Sequence, residues 1–140
     1  MFELVYCSVA HPELKPEDIE SILVTARDFN SANNITGCLV YHNKEFVQVL
    51  EGEKRIVLEL YGRIVEDKRH SNVFLLGKEE KDERSFANWN MAYHSMDDQD
   101  MKKSDFTRNM VSLSELSEKP TPVIEVFWAM VRDIIESDLG

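Results

Sequence analysis

The sequence predicts an α+β fold, because segments with the pattern of a β-strand and segments with the pattern of an amphipathic helix follow one another in a particular order. Segments that alternate between two faces, the period of a β-strand, occupy residues 2–8, 36–52, 73–80 and 86–93. Two segments between them repeat apolar residues at every third or fourth position, the period of an amphipathic helix. The length of 140 residues and the hydrophobic fraction of 43% suit a globular domain with a core of its own.

The first strand and the first helix are predicted at residues 2–8 and about 16–32. Alternation places Tyr6 and Cys7 on opposite faces of the strand. Pro16 suits the first turn of the helix, and two asparagines at 33–34 suit its end. The stripe of this helix consists of Ile19, Ile22, Leu23, Ala26, Phe29 and, at its C-terminal end, Asn30.

Residues 36–52 predict a β-hairpin with its turn at 42–44, because Asn43 tolerates the left-handed backbone that such turns need. In its second strand a neutral amide, Gln48, shares a face with two large apolar side chains, Phe46 and Leu50. An unpaired buried amide costs about 1–3 kcal/mol, so Gln48 needs partners. Two interpretations stay open: a structural Gln bonded to the backbone, or a switchable contact to a ligand or a Tyr.

A second helix is predicted at about residues 53–67, followed by strands at 73–80 and 86–93. In the last strand Trp89 and Met91 alternate with small or polar residues, a pattern that core packing alone would explain. The order βαββαββ contains the βαββαβ unit of the ferredoxin-like arrangement, in which two helices cover one face of an antiparallel-rich sheet. Right-handed connections would place the two helices side by side.

Several polar residues on or near the helices admit more than one interpretation. Asn30 could cap the first helix or contact a ligand, and Arg27 could be a solvated surface charge or a ligand contact. Arg63 and Asp67, four residues apart, would be neighbours and could form a modest surface ion pair. The basic stretch at 68–72 could hold an anion, although a solvated turn is the commoner explanation.

Residues 97–140 predict a C-terminal helical extension for output or oligomerisation, beyond a domain of residues 1–96. Thr121 and Pro122 form a good helix start. The helix that follows must bury a strongly apolar stripe, on the second face of the sheet or against a dimer partner or an effector protein. That stripe consists of Ile124, Phe127, Trp128, Val131, Ile134 and Ile135.

Composition narrows the classes of function. A net charge of −10 disfavours direct binding to nucleic acid or to anionic membranes. No apolar run approaches the roughly 20 residues of a membrane span, and no signal peptide is apparent. Cys7 and Cys38 are expected to be free thiols, so we expect a cytoplasmic protein. No metal-ligand set, phosphate-binding glycine motif or nucleophile elbow occurs, and we therefore expect no enzymatic activity.

Five segments, in order and at suitable spacing, together resemble a BLUF domain, a flavin-based sensor of blue light. The resemblance covers about residues 2–95, and no single segment would establish it. The segments are LVYCS with Tyr6, ARDFNSANNITG with Asn30, KEFVQVLEG with Gln48, EDKRHSNV with Arg69 and His70, and FANWNM with Trp89 and Met91.

The resemblance implies an oxidised flavin, FMN or FAD, held non-covalently between the two helices. It further implies that Tyr6 gives an electron and a proton to the excited flavin and that Gln48 relays the proton. Met91 and Trp89 would then pass the signal toward the C-terminal helices. Ile22 and Ile64 match the apolar residues on either side of the ring, and Phe29 stands where some members carry a polar residue or His. The other implied flavin contacts are Arg27, Asn30, Phe46, Gln48, Arg63, Asp67, Arg69 and His70.

The resemblance also implies how such a protein would signal. About 45 residues beyond the BLUF-like part are too few for a catalytic output domain, so output is expected through self-association, as a homo-oligomer, or through a protein effector.

The alternative function is a ferredoxin-like ligand- or protein-binding regulatory module without flavin. A hydrolase of acylphosphatase type ranks last, because residues 8–15 contain neither Arg nor Gly.

Overall fold

The computed structural model describes residues 1–42, 44–84, 92–95 and 121–137 of the chain. These residues form a five-stranded sheet with helices on both faces. The strands are β1 (Phe2–Ala10), β2 (Thr36–His42), β3 (Glu45–Gly52), β4 (His70–Glu80) and β5 (Ala92–Ser95). The helices are α1 (Pro16–Ala32), α2 (Lys54–Glu66) and α3 (Pro122–Ser137).

The sheet has the strand order β4-β1-β3-β2-β5. The first four strands are antiparallel to their neighbours, as the ferredoxin-like βαββαβ unit requires, and β5 is added parallel to β2. This confirms the predicted ferredoxin-like fold class. Among the described residues, no helix is long and apolar enough to cross a membrane.

Strand alternation divides the core into two layers. On one face, Leu4, Tyr6, Phe46 and Leu50 pack with apolar side chains of α1 and α2. On the other face, side chains of opposite parity pack against α3. That second cluster contains Val5, Cys38, Val40, Val47 and Val49 from the sheet, with Val123, Ile124, Phe127, Trp128 and Val131 from α3. Four residues of the apolar stripe predicted for the C-terminal helix, Ile124, Phe127, Trp128 and Val131, therefore cover the second face of the sheet, whereas the side chains of Ile134 and Ile135 lie outside the described part of the structure.

Local chemistry sets the ends of α1. The backbone N–H of Lys15 donates to the carboxylate of Asp18 at 2.9 Å, and Pro16 occupies the first helical position. At the other end the side-chain amide of Asn33 donates to the carbonyl of Phe29 at 2.9 Å, and Asn34 takes the left-handed backbone with φ 57°. The two asparagines predicted to stop this helix do so.

One sequence prediction needs adjustment, and two others fall partly outside the described residues. Helix α2 runs from Lys54 to Glu66 and is one residue shorter at each end than predicted. In the hairpin turn Lys44 has a positive φ of 68°, whereas the predicted Asn43 lies outside the described residues. The last strand is described at residues 92–95, and residues 86–91 of the predicted segment are not among the described residues. Trp89 and Met91 lie outside the described residues, as do residues 97–120 of the predicted extension.

Candidate functional site

A cavity of about 250 Å³ lies between α1, α2 and the sheet. Its walls are mainly apolar, with a small number of amide and charged groups, which is the usual composition of a small-molecule site. The residues that line it are Tyr6, Ile22, Thr25, Ala26, Phe29, Asn30, Leu39, Phe46, Gln48, Leu60, Arg63, Ile64, Asp67, Arg69 and His70.

Tyr6 and Gln48 are directly opposite each other on β1 and β3. Both are buried, and the Tyr6 hydroxyl donates a hydrogen bond to Oε1 of Gln48. Burial raises the pKa of Tyr6 far above its ordinary value, and the nearby Tyr61 and Asp67 add to the shift. Tyr6 is therefore a neutral phenol that keeps its proton and donates it to the amide carbonyl. This hydrogen bond matches one of the two interpretations of Gln48, the contact to a Tyr.

Asn30 places a second amide on the cavity. It is only 1% exposed and lies in the last turn of α1. Its backbone carbonyl accepts the N–H of Ile35, while the amide that caps the helix belongs to Asn33. Asn33 thus contributes a capping side chain, and the buried Asn30 side chain borders the cavity.

The charged residues of the cavity pair differently from the sequence prediction. Asp67 follows the end of α2 in an extended conformation, so the helical i, i+4 geometry no longer relates it to Arg63. Its carboxylate accepts instead from Arg69, at 2.6 Å from Nη2 and 3.0 Å from Nε. These hydrogen bonds lower the pKa of Asp67. The Arg63 guanidinium lies over the ring of Phe29, 5.5 Å from its centroid.

His70 joins β4 to the end of α2 beside the cavity. Its Nε2 lies 2.5 Å from the carbonyl oxygen of Ile64, and its Nδ1 lies 2.8 Å from the hydroxyl of Ser8. A carbonyl can only accept, so Nε2 carries the proton, and in the neutral ring Nδ1 accepts from Ser8. The imidazole also meets the Tyr6 ring edge-on at 6.5 Å. His70 therefore holds the cavity wall in register with the strand that carries Tyr6.

The structure brings together all but one of the eleven implied flavin contacts. Arg27 is the exception: it is exposed and does not line the cavity. Sequence reasoning did not select Thr25, Ala26, Leu39 and Leu60 as lining residues. Ala26 was already part of the predicted stripe of the first helix, Leu60 lies within the predicted second helix, and Leu39 is the partner of Gln48 in the β2–β3 register, whereas Thr25 gave no signal. The two relay residues, Trp89 and Met91, lie outside the described chain.

Comparison with known proteins gives a family match. The family model named BLUF, described as sensors of blue-light using FAD, matches residues 1–92. Photoactivated adenylate cyclase subunit alpha of Euglena gracilis is 39% identical over 87 residues, which make up 62% of this chain but only 8% of that protein. The chain thus spans a small fraction of the length of the curated relatives it matches.

Solved structures extend the similarity over nearly the whole chain. BlsA in its photo-activated state is 30% identical with a TM-score of 0.68, and the match covers 96% of this chain and 94% of that one. BlrB, a BLUF protein in its dark state, is 26% identical with a TM-score of 0.70, and the match covers 97% of this chain and 96% of that one.

Proposed function

The chain belongs to the BLUF family, and on that premise we propose that it is a blue-light photoreceptor that holds a flavin non-covalently between α1 and α2. The single observation that carries this proposal is the Tyr6–Gln48 hydrogen bond at the wall of the cavity. A buried phenol bonded to a buried amide is a redox-active donor beside a group that can change its orientation. Neither is needed for packing alone.

The donor set of the cavity fits a flavin. Ile22 and Ile64 offer apolar surfaces to a planar ring, while the amides of Asn30 and Gln48 offer hydrogen bonds to its polar edge. Arg63 and the Asp67–Arg69 pair supply charged groups for the ring edge and the ribityl chain. When bound, the flavin would supply a strong oxidant in its light-excited state. These contacts involve parts shared by FMN and FAD, so we propose that either can bind.

Tyr6 and Gln48 would perform the photochemical step. Tyr6 would give an electron to the light-excited flavin and its hydroxyl proton to Oε1 of Gln48, along the existing hydrogen bond. The electron and the proton would then return to Tyr6, and Gln48 would settle in a new orientation or tautomer, exchanging the carbonyl and NH₂ that it presents. Because no covalent bond forms, the change would reverse in the dark.

The register of the sheet supports a route for the signal. Tyr6 is paired with Gln48, Gln48 with Leu39, and Leu39 with Tyr93, so one row of residues joins the cavity to β5. We propose that Met91 and Trp89, just before β5, act as the relay from Gln48 toward the C-terminal helices.

The sensor would pass its signal to a partner through another part of the chain. The matched domain is a sensor module, and relatives bear the names of photoactivated adenylate cyclases. For this chain we propose a cytoplasmic sensor of residues 1–96 whose extension, residues 97–140, signals through a homo-oligomer or a protein effector.

The visible absorption spectrum before and after blue light tests the proposal. A flavin spectrum that shifts slightly to the red and relaxes in darkness is the expected result. A colourless protein that takes up no added flavin would favour the alternative, a ferredoxin-like regulatory module without flavin.

Tyr6→Phe tests the photochemical step within this experiment. The variant should keep the flavin and lose the light-induced shift, because Phe has neither the hydroxyl proton nor the low oxidation potential of Tyr. Tyr41→Phe is the matched control, since Tyr41 is buried on the same face of the sheet but does not line the cavity. A normal shift in Tyr6→Phe would contradict the proposed step.

A further inference from the structure

A row of polar side chains crosses the sheet on the face covered by α3. Glu3 is directly opposite Glu79 on one side and Glu51 on the other, and Glu51 is opposite Thr36. Glu3 and Glu51 are both 0% exposed. Carboxylates directly opposite each other are destabilising, and buried carboxylates require compensation. The carboxylates of this row therefore need ion-pair and hydrogen-bond partners.

Lys81 supplies the compensating charge. Its ammonium lies 2.5 Å from Oε2 of Glu3 and 2.6 Å from Oε2 of Glu51, and its side chain is only 6% exposed. Thr36 donates its hydroxyl to Oε1 of Glu51 at 2.8 Å, and Arg84 donates to Thr36 at 2.7 Å. The ammonium thus bridges two strands that would otherwise bring two carboxylates together.

The same row holds the N-terminal end of α3. The hydroxyl of Thr121 donates to Oε1 of Glu3 and accepts the N–H of Ile124 at 3.2 Å. Oε1 of Glu79 accepts the N–H of Val123 at 3.2 Å. The first amides of a helix have no partners within the helix and carry partial positive charge, so carboxylates satisfy them well.

Farther along, α3 is held by a different kind of contact. Phe127 and Val131 are fully buried in the apolar cluster of this face. Apolar contacts weaken gradually when the surfaces separate, whereas a buried ionic cluster that loses one member leaves an uncompensated buried charge. The ionic contacts at the N-terminal end of α3 should therefore be either fully formed or lost together.

We propose that Glu3, Glu51, Glu79 and Lys81 form an ionic clasp that attaches the N-terminal end of α3 to the sheet and can be released. The clasp lies on the face opposite the cavity, because Glu3 and Tyr6 have opposite parity along β1. It goes beyond the proposed light response and does not depend on a bound flavin.

Lys81→Met tests the clasp in the full chain, kept in darkness, by hydrogen–deuterium exchange. Exchange in residues 121–133 should accelerate by about tenfold or more, and clearly more than exchange in the β1–β3 ladder. Lys54→Met is the matched control and should leave α3 unchanged, because the Lys54–Glu80 pair at 3.2 Å is exposed to solvent. Unchanged exchange in α3 of Lys81→Met would overturn the proposal.

A second variant separates the loss of charge compensation from a loss of packing. Combining Lys81→Met with Glu3→Gln and Glu51→Gln removes the stranded charges, so α3 should regain most of its protection. Failure to regain it would assign the effect to the packing of Lys81 and overturn the clasp. Equal acceleration in α3 and in the β1–β3 ladder of Lys81→Met would likewise overturn it, since the cluster would then belong to the general core. All of these outcomes are independent of flavin binding.

Discussion

Gln48 gives the hydroxyl of Tyr6 a hydrogen-bond acceptor inside an otherwise apolar layer. Leu has a similar volume and no acceptor, so Gln48→Leu should leave the cavity shape intact while the Tyr6 hydroxyl loses this partner. We expect a loss of about 1–3 kcal/mol in the free energy of unfolding, retention of flavin, and no light-induced red shift. Chemical denaturation and difference absorption spectra measure these effects. Normal photocycling would show that Gln48 is not the relay.

The Tyr6–Gln48 pair and the ionic clasp differ in how far sequence reasoning could reach them. Alternation along β1 and β3 fixes the faces of Tyr6 and Gln48, and both belong to segments that resemble BLUF domains. The same alternation places Glu3 and Glu51 among valines, which was a usable signal for buried carboxylates. Their partner Lys81 is 78 positions from Glu3 in the sequence and follows no repeat, so only tertiary structure reveals the cluster.

At the scale of elements, the hairpin that carries Gln48 depends on the close approach of β2 to β3 at Gly37. A Cβ atom at this position would lie 2.0 Å from the carbonyl oxygen of Val49. Gly62 contrasts with it: it lies inside α2, is exposed, and a Cβ atom there would meet nothing within 4 Å. A side chain is therefore excluded at Gly37 but can be accommodated at Gly62.

Alanine substitutions at the two glycines should change stability in opposite directions. Gly37→Ala should destabilise the protein by about 1–3 kcal/mol, because backbone atoms of β3 cannot move aside cheaply. Gly62→Ala should stabilise it by roughly 0.5–1 kcal/mol, because Ala loses less conformational entropy in a helix. Urea denaturation of both variants measures the difference, and a stable Gly37→Ala would contradict the observed strand register.

Elements were predicted more successfully than the contacts at their ends. The stripes of α1 and α3 and the hairpin follow from local periodicity, which operates over a few residues. The Asp67–Arg69 pair did not follow, because the choice of partner depends on α2 ending one residue earlier than predicted. The parallel pairing of β5 with β2 could not be predicted from local periodicity either, since it joins segments more than 50 residues apart.

At the scale of the whole molecule, the sheet separates two sites. The cavity with Tyr6 and Gln48 lies on the face of α1 and α2, and the clasp with Glu3 and Lys81 lies on the face of α3. Because β1 and β3 contribute residues to both, a shift in these strands would reach both faces. A signal from the cavity therefore has a structural connection to α3 that does not require a path around the sheet edge.

The clasp also makes the attachment of α3 dependent on pH. Burial raises the pKa of Glu3 above the ordinary 4.5, and the Glu79 carboxyl beside it adds to the rise, against hydrogen bonds from Lys81 and Thr121. Glu79 behaves in the opposite way: burial would raise its pKa, but hydrogen bonds from Val123 and Glu3 outweigh burial and lower it. The pKa values of these two neighbouring carboxyls are thus shifted in opposite directions.

The direction of the pH effect follows from these two shifts. A raised pKa of Glu3 contributes stability that is complete below about pH 4.5 and is lost as the pH rises through its folded pKa. The lowered pKa of Glu79 contributes stability that is present above about pH 4.5 and is lost as the pH falls. The attachment of α3 should thus weaken as the pH rises from about 4.5 through the raised pKa of Glu3. Glu3 faces Glu51, Glu79, Lys81 and Thr121.

Glu3→Gln should remove this loss at higher pH, because its amide stays neutral, still accepts from Thr121 and can donate to Glu79. Exchange in residues 121–133, corrected for the intrinsic effect of pH, should increase in the unmodified chain as the pH rises above about 4.5 and should increase less in the variant. Glu53→Gln is a suitable control, since Glu53 is exposed beside α2. Parallel pH profiles for the unmodified chain and Glu3→Gln would show that Glu3 does not govern the pH dependence of the attachment.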